Sequence, residues 1–62
     1  MCDINVFVVN GDVEEKVLEN VDLVETVAGG LRLVNIFGEE KTIQATLVSY
    51  DNSDKRMVFR AV

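Results

Sequence analysis

The stretch INVFVVNGD, residues 4–12, decides the fold class of this chain. Its apolar residues Ile4, Val6 and Val8 alternate with Asn5 and Phe7. Such a period of two is typical of a strand that buries one face. Asn10-Gly11 follows directly, and this pair supplies the positive φ angles that a tight hairpin turn requires. The stretch therefore predicts a strand that leads into a hairpin.

The rest of the chain repeats this plan of short alternating segments between turn signals. Proline is absent from all 62 residues, so no strand is interrupted by a missing backbone donor. Closing a small sheet into a barrel would hide its apolar faces and remove its open edges. The sequence therefore predicts one all-β domain over residues 1–62, a small antiparallel six-stranded meander that closes into a barrel-like fold. The further turn signals are Ala28-Gly29-Gly30, Gly38-Glu39-Glu40 and Asp51-Asn52-Ser53-Asp54.

Two segments depart from simple alternation. Val13, Val17 and Val21 fit either a helical stripe or a strand, and we favour a strand because only about ten residues are available without a clear cap and stop. After Leu31 and Leu33, the apolar positions shift by one residue to Val34 and Ile36. This shift predicts a β-bulge within that strand.

Composition excludes several classes of protein. One cysteine and no histidine exclude a disulfide framework and a finger-type zinc site. The absence of histidine also removes the usual base for catalysis near neutral pH, so we do not expect an enzyme. A net charge of −5 disfavours contact with a phosphate backbone. A lone cysteine without a targeting or membrane segment indicates a cytoplasmic protein.

Some apolar residues fall on the face of their strand that should meet solvent. Several in so small a domain could form a patch, and such patches mark interfaces. We therefore expect a homodimer. These residues are Phe7, Val9, Val48, Tyr50, Val58 and Val62.

Basic and aromatic residues near the C-terminus leave one alternative function open. Bases can stack on aromatic side chains above a cationic surface in a small RNA-binding β-barrel module. We expect instead that the cations lie on ordinary outward positions and balance the eleven acids, so nucleic acid is not the expected partner. The residues concerned are Lys55, Arg56, Arg60, Arg32, Lys41, Phe59 and Tyr50.

Cys2 is chemically unusual because it lies beside the chain's first nitrogen. If Met1 is removed, the Cys2 amine and thiolate close a five-membered ring on a metal ion. If Met1 is retained, its amine, the Cys2 amide nitrogen and the thiolate form two fused rings. Both donor sets suit Ni(II) or Cu(II) in square-planar geometry, and two copies would complete an N2S2 set. Asp3 is adjacent but is expected to point to the opposite face.

The Met1-Cys2 start and the central stretch LRLVNIFGEEK, residues 31–41, resemble the CooT family of small nickel-binding proteins. The resemblance covers essentially the whole chain. It implies an all-β dimer, Ni(II) binding through Cys2, and a role as a nickel accessory protein or metallochaperone for a client such as carbon monoxide dehydrogenase. The segment 37–41 is either a simple glycine-containing turn, which we favour, or a contact surface for the client or the second protomer.

Overall fold

Six strands form one sheet in the computed structural model, which describes residues 3–62. The six-stranded all-β prediction is therefore confirmed. The turn signals also lie between strands as expected; Gly11, for example, has a φ of +64° in the first hairpin. The strands are β1 (Ile4–Asn10), β2 (Val13–Val27), β3 (Gly30–Asn35), β4 (Glu40–Ile43), β5 (Ala45–Asp51) and β6 (Arg56–Ala61).

The order of strands across the sheet is β4-β3-β2-β1-β6-β5. The first and last strands of the chain are therefore neighbours, and β1 pairs with β6 in parallel, with Val6 opposite Met57 and Val8 opposite Phe59. All other neighbours pair antiparallel. The prediction of a purely antiparallel meander is wrong at this pair. Parallel neighbours cannot be joined by a tight hairpin, and here four strands separate them along the chain.

The predicted closure into a barrel is also wrong. Only Gln44 separates β4 from β5, although these strands lie at opposite ends of the strand order. Two strands with one residue between them cannot form a hairpin, because the shortest common hairpin loop has two residues. The chain turns a corner at Gln44, and no ladder joins β4 to β5 within residues 3–62.

A small apolar core lies on one side of the curled sheet. Val6 and Leu33 are fully buried, and Phe59 is 2% exposed. Partly buried residues, including Val8, Leu31 and Met57, pack around this cluster. Ile4 and Val6, two of the apolar residues whose alternation predicted the buried face of β1, are therefore confirmed as buried. The buried apolar residues are Ile4, Val6, Leu18, Val21, Leu33 and Phe59.

The long strand β2 explains the ambiguous periodicity of residues 13–21. The segment is a strand, as favoured, but its pairing with β1 shifts register on both sides of Val6. Asn20 adopts a φ of +54° within this irregular part. As a result Leu18 and Val21, three residues apart, are both buried. The bulges break the two-residue period of β2. Of the apparent helical stripe only Val21 is buried, since Val17 is half-buried and Val13 is 64% exposed.

The bulge expected within β3 is not there. Leu31, Leu33 and Asn35 keep a regular alternation toward the core, whereas Ile36 is exposed. The register shift lies on the neighbouring strand β2, between Val21 and Leu23, which pair with Asn35 and Val34. The prediction of a bulge in β3 failed because it assumed that every inward position is apolar. Asn35, a polar residue, occupies the inward position that follows Leu33.

Candidate functional site

The chain start is the site that the sequence predicts. Met1 and Cys2, the predicted metal ligands, lie outside the described residues. Asp3 is exposed and Ile4 is only 6% exposed, so the chain passes from solvent into the core between these two residues. Ile4 pairs with Val21 of β2, and the backbone N–H of Asn5 donates to the carbonyl oxygen of Lys55 at 2.8 Å. The start of β1 is thus fixed on both of its sides.

An apolar groove of about 230 Å³ lies beside the start of β1. Ile4, Val21 and Met57 form its floor, where they continue the core. Leu23, Val24 and Tyr50 also line it and are 41%, 37% and 52% exposed. Asp22 is the remaining lining residue. The sequence did not indicate this groove, because its residues come from four strands.

The described part of the chain offers no alternative metal site. Within residues 3–62, no group of three or more Cys, His, Asp or Glu side chains is placed to hold a metal ion. The acidic side chains instead lie along strands and turns, mostly exposed.

The turn after β3 is organised around Asn35, which is polar and only 2% exposed. Its side-chain oxygen accepts hydrogen bonds from the backbone N–H groups of Phe37 and Glu39 at 3.1 and 2.8 Å. Its side-chain nitrogen donates to the Glu39 carboxylate at 2.7 Å. Buried polar groups require such partners. The turn is therefore firmly built, and it leaves Phe37 63% exposed.

Sequence reasoning missed the role of Asn35. Asparagine oxygens commonly accept hydrogen bonds from backbone N–H groups a few residues further along the chain, and Gly38 follows with a φ of +82°. These signals were present in the stretch from Asn35 to Glu39. They account for the glycine-containing turn favoured for residues 37–41, although this turn ends before β4 and Glu40 and Lys41 lie in that strand. The contact-surface alternative stays a prediction.

The basic and aromatic residues of the RNA-binding alternative do not form one surface. Phe59 is buried in the core. Arg56 stacks on Phe7, with its guanidinium carbon 4.1 Å from the ring centre, and pairs with Glu14 at 2.7 Å. Arg32 pairs with two carboxylates on the other half of the sheet. These cations are already engaged with acids of the same chain.

Arg32 joins two neighbouring strands through ion pairs. Its guanidinium donates to both carboxylate oxygens of Glu40 at 2.9 and 3.2 Å, and to Glu25 at 3.0 Å. The hydrogen bonds from Arg32 lower the pKa of Glu40 below its ordinary value. The pKa of Arg32 is raised above its ordinary value. The hydrogen bond to Glu40 is the largest cause, and the hydrogen bond to Glu25 is the next. The edge strand β4 is thereby tied to β3.

Glu40→Gln gives an expected pH dependence. Because the folded-state pKa of Glu40 is lowered, its contribution to stability is present above the unfolded-state value and is lost as pH falls through the folded-state value. We expect the variant to unfold at a lower denaturant concentration than the parent at pH 7, with the difference vanishing in acid. The effect should be small and sensitive to salt because the pair is exposed.

Glu15→Gln is the matched control for this prediction, since within residues 3–62 Glu15 forms no ion pair. Denaturant unfolding followed by circular dichroism at pH 7 and in acid measures both variants. If the difference in unfolding midpoint between the parent and Glu40→Gln persists unchanged in acid, the Arg32–Glu40 ion pair is not its cause.

The apolar residues expected on the outer face are only partly exposed. Phe7, Val9 and Val58 are half-buried, whereas Val48, Tyr50 and Val62 are exposed. Half of the six predicted residues are therefore open to solvent, and the expected homodimer stays a prediction.

In the part of the chain that the structure describes, no helix has the length and apolar character needed to cross a membrane.

The six-stranded sheet of this chain is shared with a solved structure of another small protein. The crystal structure assigned to CooT from Carboxydothermus hydrogenoformans superposes with a TM-score of 0.91, at 39% sequence identity, and the match covers 98% of each chain. The sequence model of the family described as CO dehydrogenase accessory protein CooT matches residues 1–60. This chain therefore belongs to the CooT family of accessory proteins. A comparison with curated proteins gave no significant match.

Proposed function

We propose that this protein binds Ni(II) through the Cys2 thiolate and the chain's amino terminus, either to store the ion or to deliver it to a nickel enzyme. The observation that carries the proposal is the family match, which spans residues 1–60 and so includes Met1 and Cys2. The family's description as a CO dehydrogenase accessory protein supports a client of that type. Ni(II) is the cargo in this proposal, and the chain itself transforms no substrate.

The donor chemistry at the chain start suits this ion. A thiolate sulfur and one or two backbone nitrogens form five-membered chelate rings, which favour the square-planar geometry of Ni(II). One chain supplies two donors if Met1 is removed and three if Met1 is retained. Two copies that give two donors each complete a four-coordinate N2S2 set. The thiol must lose its proton on binding, so affinity should fall as the pH drops below the thiol's apparent pKa.

The described residues next to the chain start support an accessible site. Ile4 is buried and fixed between β2 and β6, whereas Asp3 is exposed. A donor set before Asp3 would therefore be attached to a firmly held strand through an exposed residue. Asp3 is the nearest described carboxylate in sequence, but its side chain is expected to point to the opposite face from Cys2, so Asp3 is not expected to coordinate the ion.

Cys2→Ser is expected to abolish stoichiometric Ni(II) binding and the thiolate-to-nickel charge-transfer absorption, because Cys2 carries the only thiol of the chain. Untagged protein should be titrated with Ni(II) and examined by absorption spectroscopy and intact-mass spectrometry, which also reports whether Met1 is retained. The fold should remain intact by circular dichroism.

Asp3→Asn is the neighbouring control, and it should retain the absorption band and the stoichiometry. An added N-terminal extension should weaken the site, because it removes the free amine. A Ser variant that titrates like the parent would show that nickel does not bind at Cys2.

A further inference from the structure

The hairpin between β1 and β2 turns at an asparagine that is followed by a glycine. Asn10 ends β1 and pairs with Val13, the first residue of β2, so the loop consists of Gly11 and Asp12 alone. Gly11 has a φ of +64°, whereas Asp12 does not have a positive φ, and this is the pattern of a type II′ turn. Asn10 and both loop residues are exposed. The turn therefore presents the Asn10 side chain and the Gly11 backbone to water.

The backbone N–H of Gly11 is not used by the hairpin. The closing hydrogen bonds of a two-residue hairpin join the residues on either side of the loop, here Asn10 and Val13. Within residues 3–62, the Gly11 N–H donates no hydrogen bond to a turn carbonyl or to a side chain. A Cβ atom added at Gly11 would meet nothing within 4 Å. The Gly11 nitrogen can therefore approach the side-chain carbonyl carbon of Asn10, and the end of a hairpin opens at little free-energy cost.

The other four asparagines of the chain lack this combination. Asn35 is buried, and its side chain makes three hydrogen bonds. The side-chain oxygen of Asn52 accepts two hydrogen bonds. Asn5 and Asn20 are half-buried and precede valines, whose branched side chains obstruct the following backbone nitrogen. Among residues 3–62, the Asn10 side chain makes no hydrogen bond.

We propose that Asn10 is a site of deamidation, with water as the co-reactant. The Gly11 nitrogen attacks the side-chain carbonyl carbon of Asn10 and loses its proton, and the side-chain nitrogen leaves as ammonia. The new C–N bond closes a succinimide ring. Water then opens the ring at one of its two carbonyl carbons: cleavage of the new bond gives aspartate, and cleavage of the original peptide bond gives isoaspartate. In total a water molecule is consumed and an ammonia molecule is released, and nothing is oxidised or reduced.

Either product alters the end of the hairpin. Both add a carboxylate close in sequence to Asp12, in a chain whose net charge is already −5. Isoaspartate also lengthens the backbone by one carbon atom before Gly11, because the chain then runs through the former side-chain carbonyl. The pairing of residue 10 with Val13 cannot keep its register after this insertion. The core begins further back along β1, at the buried Val6, so the rest of the sheet should be retained.

The test incubates untagged, metal-free protein over a time course in mildly alkaline and in mildly acidic buffer. Mass spectrometry of the intact chain and of its proteolytic fragments locates the replacement of NH2 by OH, and isoelectric focusing measures the added negative charge. We expect conversion at Asn10 ahead of every other asparagine, and faster in alkaline buffer because the attacking nitrogen must lose its proton. Asn10 and the chain start lie at opposite ends of β1, so the inference is independent of the nickel proposal.

Asn10→Gln should stop the conversion at this position, because the longer side chain would have to close a six-membered ring. Asn52→Gln is the matched control at another exposed turn, and it should leave the rate at Asn10 unchanged. Asn10→Asp supplies the aspartate product as a reference for focusing and for fragment analysis. Conversion at Asn10 that is no faster than at Asn52, or an Asn10→Gln variant that gains negative charge at the rate of the parent, would overturn the proposal.

Discussion

Phe59→Ala is expected to remove most of the stability of this protein. Phe59 is 2% exposed and lies at the centre of a core of six buried apolar residues. Truncating a buried phenylalanine typically costs about 3–5 kcal/mol. A chain of 62 residues is expected to have about 3–9 kcal/mol in total, from about 0.05–0.15 kcal/mol per residue. Urea unfolding followed by circular dichroism should show a midpoint far below that of the parent protein.

Phe37→Ala is the control of the same chemistry. Phe37 is 63% exposed, and the Asn35 hydrogen bonds that build its turn use the Phe37 backbone rather than its ring. We expect a change below about 0.5 kcal/mol, as for ordinary surface substitutions. Equal losses in the two variants would mean that Phe59 does not anchor the core as the structure indicates.

Gly30→Ala is expected to break the corner between β4 and β5. Gly30 has a φ of +142°, and a Cβ atom there would overlap the carbonyl oxygen of Ile43 and crowd its carbonyl carbon. These are backbone atoms, so no side chain can rotate away. The backbone strain costs about 1–3 kcal/mol, and the overlap adds about 1–3 kcal/mol or more.

Gly29→Ala isolates the effect of the overlap. Gly29 also has a positive φ, +124°, but an added Cβ atom would meet nothing within 4 Å. It should therefore lose only the strain contribution. Thermal unfolding of both variants measures the difference, and Gly30→Ala unfolding no earlier than Gly29→Ala would argue against close packing at the corner.

The strands and turns could be predicted from the sequence because their causes are local. Alternation in β1 and β6, and glycines such as Gly11, act within a few residues. The parallel pairing of β1 with β6 could not be predicted, because it depends on contacts between the two ends of the chain. The corner at Gln44 was hidden for a similar reason: it requires Gly30, fourteen positions earlier, to make room.

The candidate site was predicted from the chemistry of one residue and from a family resemblance, and not from a periodic pattern. Cys2 was predicted to bind metal because it carries the only thiol of the sequence, lies beside the amino terminus and matches the family resemblance. The family itself is confirmed. The metal ligands remain a prediction, because Met1 and Cys2 lie outside the described residues. Asn35 was missed because amphipathic patterns assume that inward positions are apolar, whereas this one is a satisfied polar group.

The pairing of the first strand with the last also governs how a newly made chain acquires its structure. During synthesis β1 can form its hairpin with β2 early, but its other side finds a partner only when Arg56–Ala61 has left the ribosome. Such long-range contacts slow folding. Until Arg56–Ala61 is available, one side of β1 lacks its neighbour, and the pairing of β6 is what ends that exposure.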